Sequence, residues 1–425
     1  MTQLDVYLHE DLVGVLERQP EARLSFRYEP DWVEGAGAPV SLSLPVRAEA
    51  YGDSDCRPFF KGLLPEGDFL KAIARAFQIS ADNSFTVLEE IGGECAGAIS
   101  LVSRGGMPPF RAKTEPHWLD EVGLCRLIEN LPSPALIEDP EFDDGEEPGF
   151  RLSLAGTRDK LPVLWVDGRA GITHGHPPST HILKKPAAEL RSMVANEAYC
   201  LALAAASALD SAEGTPILAG SQEGLLVRRY DRRTEGEGVR RVHQEDLCQA
   251  LKILPEQKYE SEGGPGVAAA AALIRRHASA PAVDLLAFLD ALTFNLLIGN
   301  TDAHGKNYSL LLDEDGGRRL APLYDLLSAR PYWPYKRKMA MKYGGEYRAD
   351  RIRGRHLDRL AADLEVTPRT VRTRVEEISE QVLTATKVAR ELIPTPWSED
   401  RLLDEIDAFL ADTALELRKA AAESV

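Results

Sequence analysis

Between Leu286 and Asp325 the chain changes its pattern three times. Leu286-Ala-Phe-Leu-Asp-Ala-Leu-Thr-Phe-Asn-Leu-Leu-Ile-Gly299 carries apolar residues at helical spacing and ends in Gly, a common helix stop. A polar run follows, Asn300-Thr-Asp-Ala-His-Gly-Lys-Asn307. Tyr308-Ser-Leu-Leu-Leu312 predicts a strand, Asp313-Glu-Asp-Gly-Gly317 a hairpin turn, and Arg318 to Leu323 the return strand. Tyr324-Asp325 stands at its exit. A buried helix, a polar loop, a hairpin and an exit aspartate in that order restrict the fold to one that mixes helix and sheet around a loop site.

The chemistry lies in Asp302, Asn307 and Asp325. Asp-x-x-x-x-Asn alone arises often by chance, because both residues are ordinary loop formers. In this setting it is the spacing that phosphoryl transfer from ATP uses. One Asp accepts the proton of the attacking hydroxyl; the Asn and the later Asp hold magnesium, a hard cation that prefers oxygen ligands and keeps much of its water. Asp302 is therefore the candidate base, and Asn307 and Asp325 are the candidate metal ligands.

The loop Gly299-Asn-Thr-Asp-Ala-His-Gly-Lys-Asn307 resembles that of the HipA family, serine/threonine kinase toxins of bacterial toxin–antitoxin pairs. Other segments resemble the family in matching order. Leu152-Ser-Leu-Ala-Gly-Thr-Arg-Asp-Lys160 is similar to its phosphate-binding loop, and Ser179-Thr-His-Ile-Leu-Lys184 to its ATP-lysine strand. Gln244-Glu-Asp-Leu-Cys-Gln249 and Lys258-Tyr-Glu-Ser-Glu-Gly-Gly-Pro-Gly266 are similar to its activation segment. Phe60-Lys-Gly-Leu-Leu-Pro-Glu66 and Glu90-Ile-Gly-Gly-Glu-Cys-Ala-Gly-Ala98 resemble its amino-terminal domain. The resemblance implies an α+β chain: a small amino-terminal α/β domain, then a two-lobed protein-kinase-like fold with a mainly helical C-terminal lobe. The expected divisions are 1–103, 117–240 and 241–425.

The resemblance also assigns roles. Ala155, Gly156, Thr157, Arg158, Asp159 and Lys160 would cradle phosphates, because small residues let backbone N–H groups approach them. The family usually shows Ala-Gln where this chain has Thr157-Arg158. Ser153 would be a self-phosphorylation site, whose added charge opposes phosphate binding in the same loop. Lys184 would meet the nucleotide phosphates, with Glu197 on the next helix as a partner or as a solvated helix residue. Arg228, Arg229 and Tyr230 would form the hinge that reads adenine through backbone groups, although the family usually has an acid at Arg228. His304 would structure the catalytic loop or simply pack. Lys306 would neutralise charge on the transferred phosphate, and Tyr324 would pack beside the nucleotide.

Composition narrows the remaining classes. The 425 residues are 44 % hydrophobic and 28 % charged, as in ordinary globular chains. No uninterrupted apolar run reaches the ~20 residues of a membrane span, and the start lacks a basic region before an apolar core, so a cytoplasmic protein without a signal peptide is expected. Five cysteines are scattered without Cys-x-x-Cys spacing, which argues against zinc. A net charge of −17 disfavours broad direct contact with nucleic acid. DNA would be reached only through the small helix-turn-helix antitoxin (HipB-like) that the resemblance implies, and no membrane contact is expected. ATP and Mg2+ are the implied cofactors, and an aminoacyl-tRNA synthetase the implied class of substrate. Two other readings stay open: a kinase-fold phosphotransferase on a small molecule or lipid, and a kinase-like co-repressor acting by binding alone.

Overall fold

The computed structural model describes residues 2–112, 115–131, 160–173, 176–236, 238–312, 316–332 and 338–423. The chain opens with strands β1 (Gln3–Leu8), β2 (Asp11–Arg18) and β3 (Leu24–Tyr28), and β4 (Ile99–Ser103) joins them in an antiparallel sheet of order β3-β2-β1-β4. Alternating apolar residues, such as Leu4 with Val6 and Leu24 with Phe26, face helices Asp53–Gly62, Gly67–Ala76 and Ser84–Ile91 in one hydrophobic cluster.

The second sheet has six antiparallel strands in the order β5-β7-β6-β8-β10-β9. They are β5 (His117–Trp118), β6 (Lys160–Val166), β7 (Arg169–Ile172), β8 (His181–Lys184), β9 (Gly214–Ala219) and β10 (Gln222–Arg228). Helix Glu121–Asn130 covers β9 and β10. Asp120 caps its start by accepting from Gly123 N at 2.7 Å. Lys185 closes its other end by donating to the carbonyls of Glu129 and Leu131 at 2.6 and 2.7 Å.

A hairpin of β11 (Arg232–Glu235) and β12 (Gly238–Arg241) leads to β13 (His243–Asp246). β13 pairs with β14 (Ser309–Leu312), which pairs with β15 (Arg318–Leu320). The expected hairpin is thus two strands of a three-stranded sheet; the third, β13, stands where the mainly helical lobe was expected to begin.

Helices Val267–His277, Pro281–Ile298, Gly354–Asp363, Pro368–Glu391 and Leu402–Ala422 build the largest core. Pro281–Ile298 is long and apolar enough to pass a length-and-hydropathy test for a membrane span, but 72 % of it is buried inside the protein. A helix that is apolar on every side belongs in a core. Its buried Asp284 accepts from Arg319 Nε at 3.0 Å and from Leu320 N at 3.1 Å, tying helix to hairpin.

Packing crosses residue 240. Helix Met193–Ala206 belongs to the same cluster as the C-terminal helices and lies along Pro368–Glu391.

Candidate active site

A cleft of about 1140 Å3, open solvent at its mouth included, lies where the six-stranded sheet, the three-stranded sheet and the N-terminal helices meet. Apolar Ile182, Ala212 and Val227 share its lining with a dense set of polar groups. Lys160 and Lys184 stand directly opposite each other across β6 and β8, and both face it.

Lys184 is buried, and its ammonium lies 2.5 Å from Glu197 Oε1 and also pairs with Asp325 Oδ1. β8 delivers the lysine, helix Met193–Ala206 the glutamate, and the chain after β15 the aspartate. Neighbouring bonds fix the last two relative to each other. Asn196, adjacent to Glu197, donates its amide to Ser328 O and accepts from Ser328 N, both at 2.9 Å. Asp325 itself has φ +51, in the left-handed region, which Asp tolerates better than most residues.

The loop that carries Asp302 begins at Gly299, which ends helix Pro281–Ile298 with φ +66. A Cβ there would lie 2.6 Å from the Phe409 ring, so both backbone and space require glycine. Asn300 accepts from Asp302 N at 3.3 Å and donates to Asp325 O at 3.3 Å, linking the two acidic positions through one amide side chain. The Asp302 carboxylate accepts the Tyr259 hydroxyl. His304 is buried; its Nδ1 accepts from Lys306 N at 3.3 Å, and its ring meets Tyr259 edge-on at 5.1 Å. Burial pulls its pKa down to about 4, so the ring is a neutral cap that shapes the loop.

Lys306 already has acidic partners of its own. It lines the cleft, but its ammonium is held 3.0 Å from Asp246, 3.2 Å from Gly62 O and 3.7 Å from Glu66. Burial pushes its pKa down, yet the two carboxylates outweigh burial and keep it above the ordinary lysine value. The ammonium ties the loop to β13 and to the N-terminal unit, where two acids offset its charge.

At the end of β10, Arg228 is surface-facing and pairs with Glu213 at 3.3 Å. Arg229 turns away from the cleft's centre into a buried charge cluster. There Arg229 and Arg232 meet Glu94 at 3.3 and 2.7 Å and Asp231 at 2.8 and 3.0 Å. Arg241 joins them through Ser100 Oγ and the carbonyls of Cys95, Gly97 and Ile99. This cluster fastens the N-terminal unit to residues 229–241. Burial opposes the Glu94 charge, but Arg232, Arg229 and Arg241 outweigh it and lower the pKa. Tyr230 packs on Tyr324 with ring centroids 5.2 Å apart. Tyr324 donates to Lys306 O at 2.6 Å and meets Ser309 Oγ at 2.7 Å, so it forms a fixed wall of the cleft.

Asn307 faces the same cleft. Among the described residues no three His, Cys, Asp or Glu side chains converge as a metal cage. The Asp325 carboxylate and the Asn307 amide form the sparse oxygen donor set that suits a magnesium ion sharing its ligands with phosphate and water. Ser153 and the loop residues Ala155, Gly156, Thr157, Arg158 and Asp159 lie outside the described residues. Glu66, Asp246, Lys258 and Tyr259 received no role from sequence reasoning. Each sits inside a segment whose resemblance was noted, which was the available signal.

Comparison with known proteins fits this geometry. The family model described as the HipA N-terminal domain matches residues 4–102, and that of the HipA-like C-terminal domain matches residues 152–386. The chain is 42 % identical over 347 residues to a protein named putative kinase Y4mE of Sinorhizobium fredii, covering 80 % of each. It is 31 % identical over 362 residues to the serine/threonine-protein kinase toxin HipA of Shewanella oneidensis, covering 81 % of this chain and 79 % of that one. The solved complex of Shewanella oneidensis HipA with HipB and operator DNA superposes with a TM-score of 0.81 at 26 % identity, covering 98 % and 96 % of the two chains. With both halves matched in order, the chain belongs to the HipA family of kinase toxins.

Proposed function

We propose that this chain is an ATP-dependent serine/threonine protein kinase and the toxin of a toxin–antitoxin pair in the cytoplasm. The observation that carries the reading is Lys184 bridging buried Glu197 and Asp325 beside the Asp302–Asn307 loop. Magnesium ATP, when bound, supplies the phosphoryl group. Lys184, oriented by Glu197, would hold its phosphate oxygens, and Asn307 and Asp325 would hold the metal. Asp302 takes the proton of the acceptor hydroxyl. At the hinge, the N–H groups of Arg228 and Arg229 already donate to Glu213 O and Thr180 O at 2.8 and 3.0 Å. The Arg228 carbonyl and Tyr230 N–H have no backbone partner among the described residues and provide an acceptor and a donor for the adenine edge. A side chain does not enter those contacts, so Arg228 is compatible with the role.

Because the Shewanella relative is solved with HipB and operator DNA, a small DNA-binding antitoxin is the inferred partner here. A translation component such as an aminoacyl-tRNA synthetase is the inferred substrate, and Ser153 the inferred site of self-modification. The test uses purified chain and magnesium ATP. Asp302→Asn retains nucleotide affinity and loses most transfer, whereas Asp325→Ala loses magnesium-dependent affinity. Mass spectrometry finds phosphate on Ser153 in the wild type and none in Asp302→Asn. Wild-type transfer by Asp302→Asn would overturn the assignment.

A further inference from the structure

We propose that Tyr259 is a positioning residue for phosphoryl transfer: its hydroxyl holds the Asp302 carboxylate in the orientation that takes the acceptor's proton. This rests on the kinase reading above and adds to it a residue outside the catalytic loop.

The contact itself is direct, with Tyr259 OH donating to Asp302 Oδ1. An aspartate's terminal torsion is broad, so a carboxylate on a loop needs a partner to define its plane. Asp302 has its backbone already placed, by Asn300 Oδ1 on its N–H and by His304 N on its carbonyl, at 3.3 and 2.8 Å. Tyr259 extends that control to the reacting group.

A donor can position another group only if it is itself held. The Tyr259 carbonyl accepts from both Glu262 N and Gly264 N at 2.9 Å, folding the strap of residues 258–264 back on itself. Lys258 O accepts from Gly305 N at 3.1 Å, which joins the strap to the catalytic loop. Lys258 Nζ reaches Glu66 at 2.8 Å. On the other side Glu260 N donates to Ala340 O at 3.2 Å, and the Glu260 carboxylate accepts from Lys342 N at 2.5 Å. The ring is braced edge-on against His304. Burial, reinforced by the Asp302 charge, raises the phenol's pKa, so the hydroxyl remains a donor wherever Asp302 is ionised.

The experiment measures ADP release from magnesium ATP by purified full-length wild type, Tyr259→Phe, Tyr259→Ala, Asp302→Asn and the double variant Tyr259→Phe/Asp302→Asn. Phe keeps the ring on His304 and removes only the hydroxyl. Tyr259→Phe is expected to lose roughly tenfold or more in kcat, with KM for ATP, calorimetric nucleotide affinity and melting temperature unchanged. Because the hydroxyl acts through Asp302, adding Tyr259→Phe to Asp302→Asn should cause no further loss. Full activity in Tyr259→Phe with loss only in Tyr259→Ala would assign Tyr259 to packing and overturn the proposal. Raised kcat in Tyr259→Phe would make the hydroxyl an obstruction, and additive losses in the double variant would separate it from Asp302; either result overturns the proposal. Absence of turnover in the wild type would overturn the kinase reading and this inference with it.

Discussion

Glu66 Oε1 lies 3.7 Å from the ammonium of Lys306, and Glu66 Oε2 lies 2.8 Å from that of Lys258. One carboxylate from the N-terminal unit therefore touches both the loop of residues 300–307 and the strap that carries Tyr259. Burial opposes its charge, but the two lysines outweigh burial and hold its pKa below the ordinary glutamate value.

Removing that carboxylate leaves two largely buried ammonium groups with less compensation. Glu66→Ala should destabilise the chain by on the order of 2 kcal/mol and lower ATP turnover. Denaturant unfolding alongside an ATP assay checks both. An unchanged midpoint would show that Asp246 alone satisfies Lys306.

Glu197→Gln keeps the size of the side chain and removes the charge that Lys184 meets at 2.5 Å. Lys184 should then turn further onto Asp325 and compete with the metal. Magnesium-nucleotide affinity should fall about tenfold, read by calorimetry, with little change in far-ultraviolet circular dichroism. Wild-type affinity would remove Glu197 from the site.

Glu94→Ala should be among the most damaging single changes, costing about 3–5 kcal/mol. It leaves Arg229, Arg232 and Arg241 buried with Asp231 as the nearby acid. Limited proteolysis should release the N-terminal unit from the variant before the helical core is cut. Resistance equal to wild type would contradict a fastening role for the cluster.

Glu245 gives a pH test of the same join. It accepts from Ser41 Oγ at 2.6 Å and Leu42 N at 2.8 Å. Burial outweighs those bonds and pushes its pKa up to about 7, from an ordinary value of 4.5. A raised acid contributes stability below about 4.5, and the contribution is lost as pH rises through about 7. Glu245→Gln should therefore melt higher than wild type at pH 8, with the gap narrowing toward pH 5. Differential scanning calorimetry at the two values checks the sign. A constant gap would show that Glu245 does not titrate in this range.

The legibility of the chain varied with the range of the contacts. Helix Pro281–Ile298, its Gly299 stop and the strands flanking the turn were readable because apolar spacing and turn residues are local signals. β13 was not. His243-Gln-Glu-Asp246 has no apolar alternation, and only pairing with β14 makes it a strand. Lys184 was findable by resemblance, but Glu197 was ambiguous because helix Met193–Ala206 is buried on nearly every side, so periodicity marks no special face. The acidic partners of Lys306 were illegible for a related reason. Its acids, Glu66 and Asp246, are far away in sequence, and no spacing rule brings them together.

Helix Met193–Ala206 also limits how such a site can be governed. It carries Glu197, lies along Pro368–Glu391, and is clasped through Asn196 to the chain just beyond Asp325. Swinging it outward would tear open the largest core and break both amide bonds together. It is therefore a keystone and not a lever, and Lys184 keeps its glutamate for as long as the fold survives. Throttling this machine falls to parts outside that keystone, such as the strap at Tyr259 or whatever protein closes over the cleft's mouth.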